Sequence, residues 1–267
     1  MSARKAEDRY QASPLRSAWV VVGLSVIALA VAGCASQRKN EKHKEDASNY
    51  NTQLGIDYMT QGDIPLAKEK LDRALKEAPD NPKVHTARAM LFDRMHLPTQ
   101  AESEYQTALH LAPNDPDVSN NYAVYLCQIG KVDQGVKRFE AVAKNALYRT
   151  PWVAYANAGV CLHGAKHDAD AIANFKQALQ LRPNFSEAAY QLISLQFNNG
   201  DVVSARSELD TYLGAFEETP DLLLIGVRIA KTQNDRVAIV LYSRKLRLDF
   251  PDSPQTKALA AIEHNPG

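Results

Sequence analysis

An all-α solenoid of helix pairs is the fold this sequence predicts, and three observations predict it. Residue types recur along the chain at a near-constant step. Ala and Leu are abundant while aromatic residues make up only 7%, a balance that favours helix. Twelve Gly and 13 Pro among 267 residues suit helices with punctuated ends better than a turn-rich sheet protein. Hydrophobic residues at 45% and charged residues at 23% are ordinary for a folded domain, and they exclude a disordered, collagen-like or polytopic membrane chain. Lys plus Arg and Asp plus Glu both number 31, so no global positive field exists to hold nucleic acid.

The N-terminus reads as an address. Arg4, Lys5, Arg9 and Arg16 precede a run from Ser17 to Cys34 that carries no charge. A positive segment, an apolar segment and a small-residue end have the shape of a secretory signal. A single transmembrane helix is the alternative, because such a run nearly spans a bilayer. The end of the run favours the signal: Val31-Ala32-Gly33-Cys34 resembles the bacterial lipobox, which implies cleavage before Cys34 and acylation of its thiol. Residues 1–33 are then a lipoprotein signal peptide. The segment to Gly33 holds four basic and two acidic residues, leaving 27 against 29 in the mature chain. Ala35 follows the Cys where retained lipoproteins carry Asp, which implies lipid anchoring at the outer membrane with the rest in the periplasm. Residues 34–47 are polar, charged and without periodicity, and they read as the acylated Cys and a flexible tether.

The repeat occupies residues 48–252. Ala67, Ala101, Gly135, Ala171, Ala205 and Ala238 form one track, with steps of 33 to 36. Gly55, Ala89, Ala123, Gly159, Ile193 and Gly226 keep the same steps. So do the large residues Leu71, Tyr105, Phe139, Phe175, Leu209 and Tyr242, and three late prolines, Pro79, Pro113 and Pro183. This period and these residues resemble the tetratricopeptide repeat (TPR). The resemblance implies a right-handed superhelix of about six helix-turn-helix repeats. Small residues let two helices approach, the large residue fills the space between repeats, and Pro stops a helix before the next repeat. The third repeat carries two extra residues near Asn145 to Thr150. In the fifth, Gln196 replaces the usual aromatic, and the sixth is degenerate, with Ile229 and Lys245 at pattern positions. Turns between paired helices are expected at Gln61-Gly62-Asp63, Leu97-Pro98, Gly130-Lys131 and Asn199-Gly200-Asp201, with Asp63 and Asp201 as N-caps. Residues 253–267 are expected to form a C-terminal capping helix and tail, starting at Ser253-Pro254.

Motifs for covalent chemistry are missing. No Gly-x-Gly, Gly-x-Ser-x-Gly or His-Glu-x-x-His occurs, so the chain is read as no enzyme, with no cofactor, metal or small-molecule substrate. Cys161, His163, His167 and Asp168 lie close in sequence, but the repeat frame puts them across a turn, which favours exposed polarity over a metal cluster. Cys127 and Cys161 fall on the first helices of adjacent repeats. A disulfide needs Cα atoms within about 7 Å, whereas neighbouring helix axes run roughly 8–10 Å apart. Two buried free thiols are therefore the expectation.

Binding is expected in the groove lined by first helices. Its candidate contacts are Met90, Asn120, Asn121, Val124, Asn157, Val160, Tyr190 and Gln191, with Thr52, Ile56, Met59, Thr86, Asp93 and Phe197 beside them. Asn121 and Asn157 match a TPR position that bonds ligand backbone, and an amide both donates and accepts. Lys83 alone does not make the basic clamp of chaperone-binding TPRs. The lipobox, the tether and six repeats together are similar to the PilF/PilW family of type IV pilus biogenesis lipoproteins. The most specific stretch is Asn120-Asn121-Tyr122-Ala123, Phe139, Leu147-Tyr148 and Asn157-Ala158-Gly159. The resemblance implies a pilotin, an assembly factor whose partner is the secretin subunit of the type IV pilus. The alternative role is a TPR scaffold for outer-membrane protein insertion or an adaptor for peptidoglycan enzymes. A metal or redox enzyme using Cys161, His163 and His167 is the rival of a different class.

Overall fold

The computed structural model describes residues 41–264. The expectations for the signal, Cys34 and the start of the tether lie outside the described residues. Among the described residues every regular element is a helix and no strand occurs. The chain divides into two compact units, residues up to Leu91 and residues from Phe92 on.

In the first unit, α1 runs over 41–61 and α2 over Ile64–Glu77. Helix α3, Pro82–Arg94, begins here. The expected tether is helical from 41, seven residues before the first repeat was expected to start. Once Ser48 and Asn51 have partners on α2, the polar segment before them continues the same helix. Ser48 Oγ donates to the Ala74 carbonyl at 2.9 Å, and Asn51 Nδ2 donates to Glu77 at 3.1 Å. Gly55 sits against Leu71, where an added Cβ would lie 2.6 Å from Leu71 Cγ. Arg88 pairs with Asp72.

The second unit holds the end of α3 and ten more helices. They are α4 Pro98–Leu111, α5 Pro116–Gln128, α6 Val132–Ala143, α7 Pro151–Gly164, α8 Asp168–Leu181, α9 Ser186–Asn198, α10 Val202–Leu213, α11 Pro220–Thr232, α12 Arg236–Asp249 and α13 Pro254–His264. From α4 on, each helix packs against the next one in the chain. Successive first helices also meet, α5 with α7 and α9 with α11. Proline opens α4, α5, α7, α11 and α13, where its missing N–H is one the helix leaves unbonded anyway. Asp201 caps α10 through the Ser204 amide at 3.1 Å, as Asp63 caps α2 through the Leu66 amide at the same distance. Asp115, Thr219 and Asp235 cap α5, α11 and α12.

The turns inside the repeats share one geometry. A left-handed residue stands in each: Gly62, His96, Gly130, Lys166, Gly200 and Asn234, with φ between 56° and 83°. The next residue donates its amide to the carbonyl five residues back, as Asp63 does to Tyr58 and Lys131 does to Leu126. This is the Schellman closure, which satisfies carbonyls that a helix end leaves bare. Glycine fills half of these positions because a Cβ is strained there.

The tracks seen in the sequence are the core. All six small residues of the first track are buried, as are Leu71, Tyr105, Phe139, Phe175, Leu209 and Tyr242. Gly159 faces Phe175, and Gly226 faces Tyr242 and Leu209. The two-residue insertion places Tyr148 against Phe139, Val142 and Ala154 in the core, while Leu147 beside it is 76% exposed. Helix α13 closes the stack through buried Leu259, a Gln255–Asp221 hydrogen bond of 2.6 Å and a bond from Lys231 to the Ile262 carbonyl. Ser253 Oγ caps it by accepting from the Thr256 amide.

Candidate peptide-binding surface

The predicted groove residues divide by helix. Met90 is half-buried on α3 in the first unit. The others stand on α5, α7 and α9 in the second.

On α5 and α7 the asparagines meet, though not as the repeat frame pairs them. Asn157 Nδ2 donates to Oδ1 of Asn120 at 3.4 Å, while Asn121 Nδ2 turns back to the Asp117 carbonyl at 3.0 Å. Asn120 is buried. Asn121 and Asn157 are half-buried, and each amide has further donor and acceptor capacity for a ligand's backbone. Val160, one turn on from Asn157, is 50% exposed. Val124 is half-buried against the core around Phe139. A stretch of α7 therefore presents an amide and an aliphatic side chain one helical turn apart.

On α9, Tyr190 packs against the core around Ile193, and Gln191 Nε2 donates to Glu187 at 2.9 Å. Phe197 lies under the Arg228 guanidinium, 5.1 Å from the ring centroid. Besides Asn120, three residues placed in the groove from sequence are buried and offer a ligand little: Met59, Thr52 and Thr86. The two hydroxyls are turned onto carbonyls four residues earlier, Ser48 and Pro82, at 2.8 Å. This local bond is one that Thr makes readily inside a helix.

Cys127 and Cys161 are joined by a disulfide between α5 and α7, with Cα atoms 5.6 Å apart. The expectation of two free thiols is corrected by the geometry. Axes 8–10 Å apart do not set the Cα distance, because each Cα stands about 2.3 Å off its axis and two that face each other come much closer. Room for the sulfurs comes from Gly135 on α6, where a Cβ would lie 2.5 Å from Cys127 Sγ. The bridge fixes the two helices that carry Asn120, Asn121, Asn157 and Val160.

The bridge also removes the thiolate from the suspected metal cluster. His163 Nδ1 lies 2.8 Å from Asp168 Oδ1, and that hydrogen bond holds the Asp168 carboxyl below its ordinary range. No group of three ligands with metal-binding geometry occurs among the described residues.

Behind α5, a cluster that sequence reasoning missed stiffens the surface. Tyr105, Tyr122 and Tyr125 pack with ring centroids 5.1 to 6.3 Å apart. The Tyr122 hydroxyl donates to Glu102, and Tyr125 donates to the Pro98 carbonyl at 3.0 Å. Burial, then the Glu102 carboxylate, pushes the Tyr122 hydroxyl up to about 12. Arg138 covers the same ring at 4.7 Å. The three tyrosines interleave with the small-residue track, and their 3-residue and 17-residue spacings were the available signal.

Known proteins agree with this architecture. Tetratricopeptide repeat family models match residues 52–116 and 164–224. The type IV pilus assembly protein PilF of Pseudomonas aeruginosa is 27% identical over 233 residues, spanning 85% of this chain and 92% of that protein. The solved structure of P. aeruginosa PilF superposes with a TM-score of 0.61 at 26% identity, covering 82% of this chain and 99% of that one. PilW, described as a widely conserved type IV pilus biogenesis factor, gives 0.62 at 26% identity, covering 80% and 98%. With repeat, core and chain-long similarity in agreement, the chain is a PilF/PilW-like tetratricopeptide repeat protein.

Proposed function

We propose that this protein is a lipid-anchored assembly factor of type IV pilus biogenesis that grips the secretin subunit at the outer membrane. The observation that carries the reading is similarity to PilF and PilW along nearly the whole folded chain. It favours a pilus role over a general scaffold for outer-membrane protein insertion or for peptidoglycan enzymes. The mechanism is binding without covalent chemistry. Asn121, Asn157 and Val160 bond and cover an extended segment of the partner, on helices already locked together by the disulfide. Locking matters because a surface that is ordered before binding loses little entropy when it binds. The disulfide supports an exported protein, since such bonds persist in the periplasm and are rare in the cytosol. Acylated Cys34 supplies the address, and more than one acyl chain makes the attachment durable.

Deleting the gene leaves the secretin subunit unassembled on this reading. Heat-resistant secretin rings at the normal level in the deletion strain would refute it. Replacing Cys34 with Ala tests the anchor separately. The repeats stay folded by circular dichroism, and the protein shifts from the membrane pellet to the soluble periplasmic fraction. An unchanged membrane fraction would contradict acylation at that residue.

A further inference from the structure

Helix α12 carries an outward face unlike that of any other second helix. Val237, Val240, Leu241 and Leu248 are 48 to 80% exposed. Arg236, Arg244 and Arg247 are exposed on the same side of the helix. At 100° per residue these seven side chains span about 140° of the helix circumference.

The other repeats supply an internal control. At the position of Val240 they carry Glu69, Ser103, Lys137, Ala173 and Ser207. At the position of Leu241 they carry Lys70, Glu104, Arg138, Asn174 and Glu208. A solvated face is therefore what this surface of the repeat ordinarily requires. In the sixth repeat it is aliphatic and cationic instead.

Neighbouring carboxylates leave the charges of Arg236 and Arg244 in place. Asp235 accepts from Arg206 at 3.1 Å, and Glu218 pairs with Lys245. Protein-binding hot spots are enriched in Trp and Tyr as well as Arg, and this face has no aromatic residue. Aliphatic side chains flanked by guanidinium groups match a different surface: the acyl boundary of a bilayer with phosphate at its rim.

We infer that α12 is a second membrane contact, laying Val237, Val240, Leu241 and Leu248 at the headgroup boundary of an anionic bilayer while Arg236 and Arg244 bond lipid phosphates. The inference rests on the lipid-anchored reading only for its place in the cell. Held near a bilayer by its acyl chains, the protein needs only a weak second contact to orient its repeats, because the second binding event is intramolecular.

The test uses residues 41–267, which hold every buried side chain named above and lack Cys34, so its outcome is independent of acylation. Sedimentation with vesicles of phosphatidylglycerol and phosphatidylethanolamine is compared with phosphatidylcholine alone. Binding is expected to the anionic vesicles, to weaken with added salt, and to fall about tenfold or more in R236E/R244E. V240E/L241E is expected to lose it as well, with an unchanged circular dichroism spectrum in both variants. No binding, binding equal in both vesicle types, or binding unaffected by V240E/L241E overturns the inference. So does a dimer in solution that V240E/L241E dissociates, because the face would then belong to a second copy of the chain. An unchanged membrane fraction in Cys34→Ala cells would sink the anchor alone, whereas absent vesicle binding by residues 41–267 would sink this contact alone, so the two failures are distinguishable.

Discussion

Gly159→Leu lowers stability by about 3 kcal/mol, in the upper part of the range for overpacking a core, and lowers Tm by roughly 6–12 °C for a domain of this size. A Cβ at this position would lie 2.6 Å from Phe175 Cε1 and under 3.0 Å from two more ring carbons. The ring has nowhere to go. Phe175 is 1% exposed and packs with Leu162, Leu192 and Leu195. An aromatic ring also cannot shed the clash by rotating a flexible end, so α7 and α8 must separate. Gly164, five residues on in the same helix, is the control, because nothing lies within 4 Å of its absent Cβ. Gly164→Ala is expected to leave Tm unchanged or raise it slightly, since Ala favours helix more than Gly does. Gly226→Ala falls between the two, with contacts of 3.0 to 3.1 Å to Tyr242 and Leu209. Thermal denaturation of the three variants settles the order. A Gly159→Leu protein melting with the wild type would mean that α7 and α8 are not packed this way.

What could be read in the sequence was whatever repeats. Small residues facing large ones left a period because each interface solves the same packing problem. Gly159 and Phe175 were placed correctly for that reason, as were the caps Asp63 and Asp201. Features that occur once leave no period. The start of α1 at 41 rests on the partners of Ser48 and Asn51, which only the packed helices reveal. The left-handed turn position was half hidden, because His96, Lys166 and Asn234 occupy it where glycine would have announced it. Among the groove candidates, half-exposed Val160 was legible from the frame. Thr52 and Thr86 were not, because a threonine hydroxyl can turn back on its own helix in any repeat. The face of α12 was visible only as degeneracy, and it needed exposure to become a surface.

Removing the disulfide is expected to cost still more. For a sequence separation of 34 the chain-entropy relation gives about 4 kcal/mol, a fall in Tm of roughly 10 °C. The Cys127→Ala/Cys161→Ala protein should show it, and so should the wild type in excess reductant. The offset between the two cysteines was itself the clue. With the 36-residue step between their repeats, the counterpart of Cys127 is His163, and Cys161 stands two residues before it. Two residues rotate a helix by about 200°. Successive first helices touch through opposite sides, so a residue facing forward from α5 meets one about half a turn away in the frame of α7. Cysteines at identical repeat positions would have pointed the same way and stayed apart. Gly135 makes the argument sharper. Its absent Cβ would meet Cys127 Sγ at 2.5 Å but the Ala123 carbonyl at 3.0 Å. Gly135→Ala should therefore destabilise the bridged protein more than the double-alanine protein, a positive coupling between sites in contact. Thiol titration of the unfolded, unreduced chain 41–267 decides the premise. No free thiol is expected, and two per chain would mean that α5 and α7 are held by packing alone.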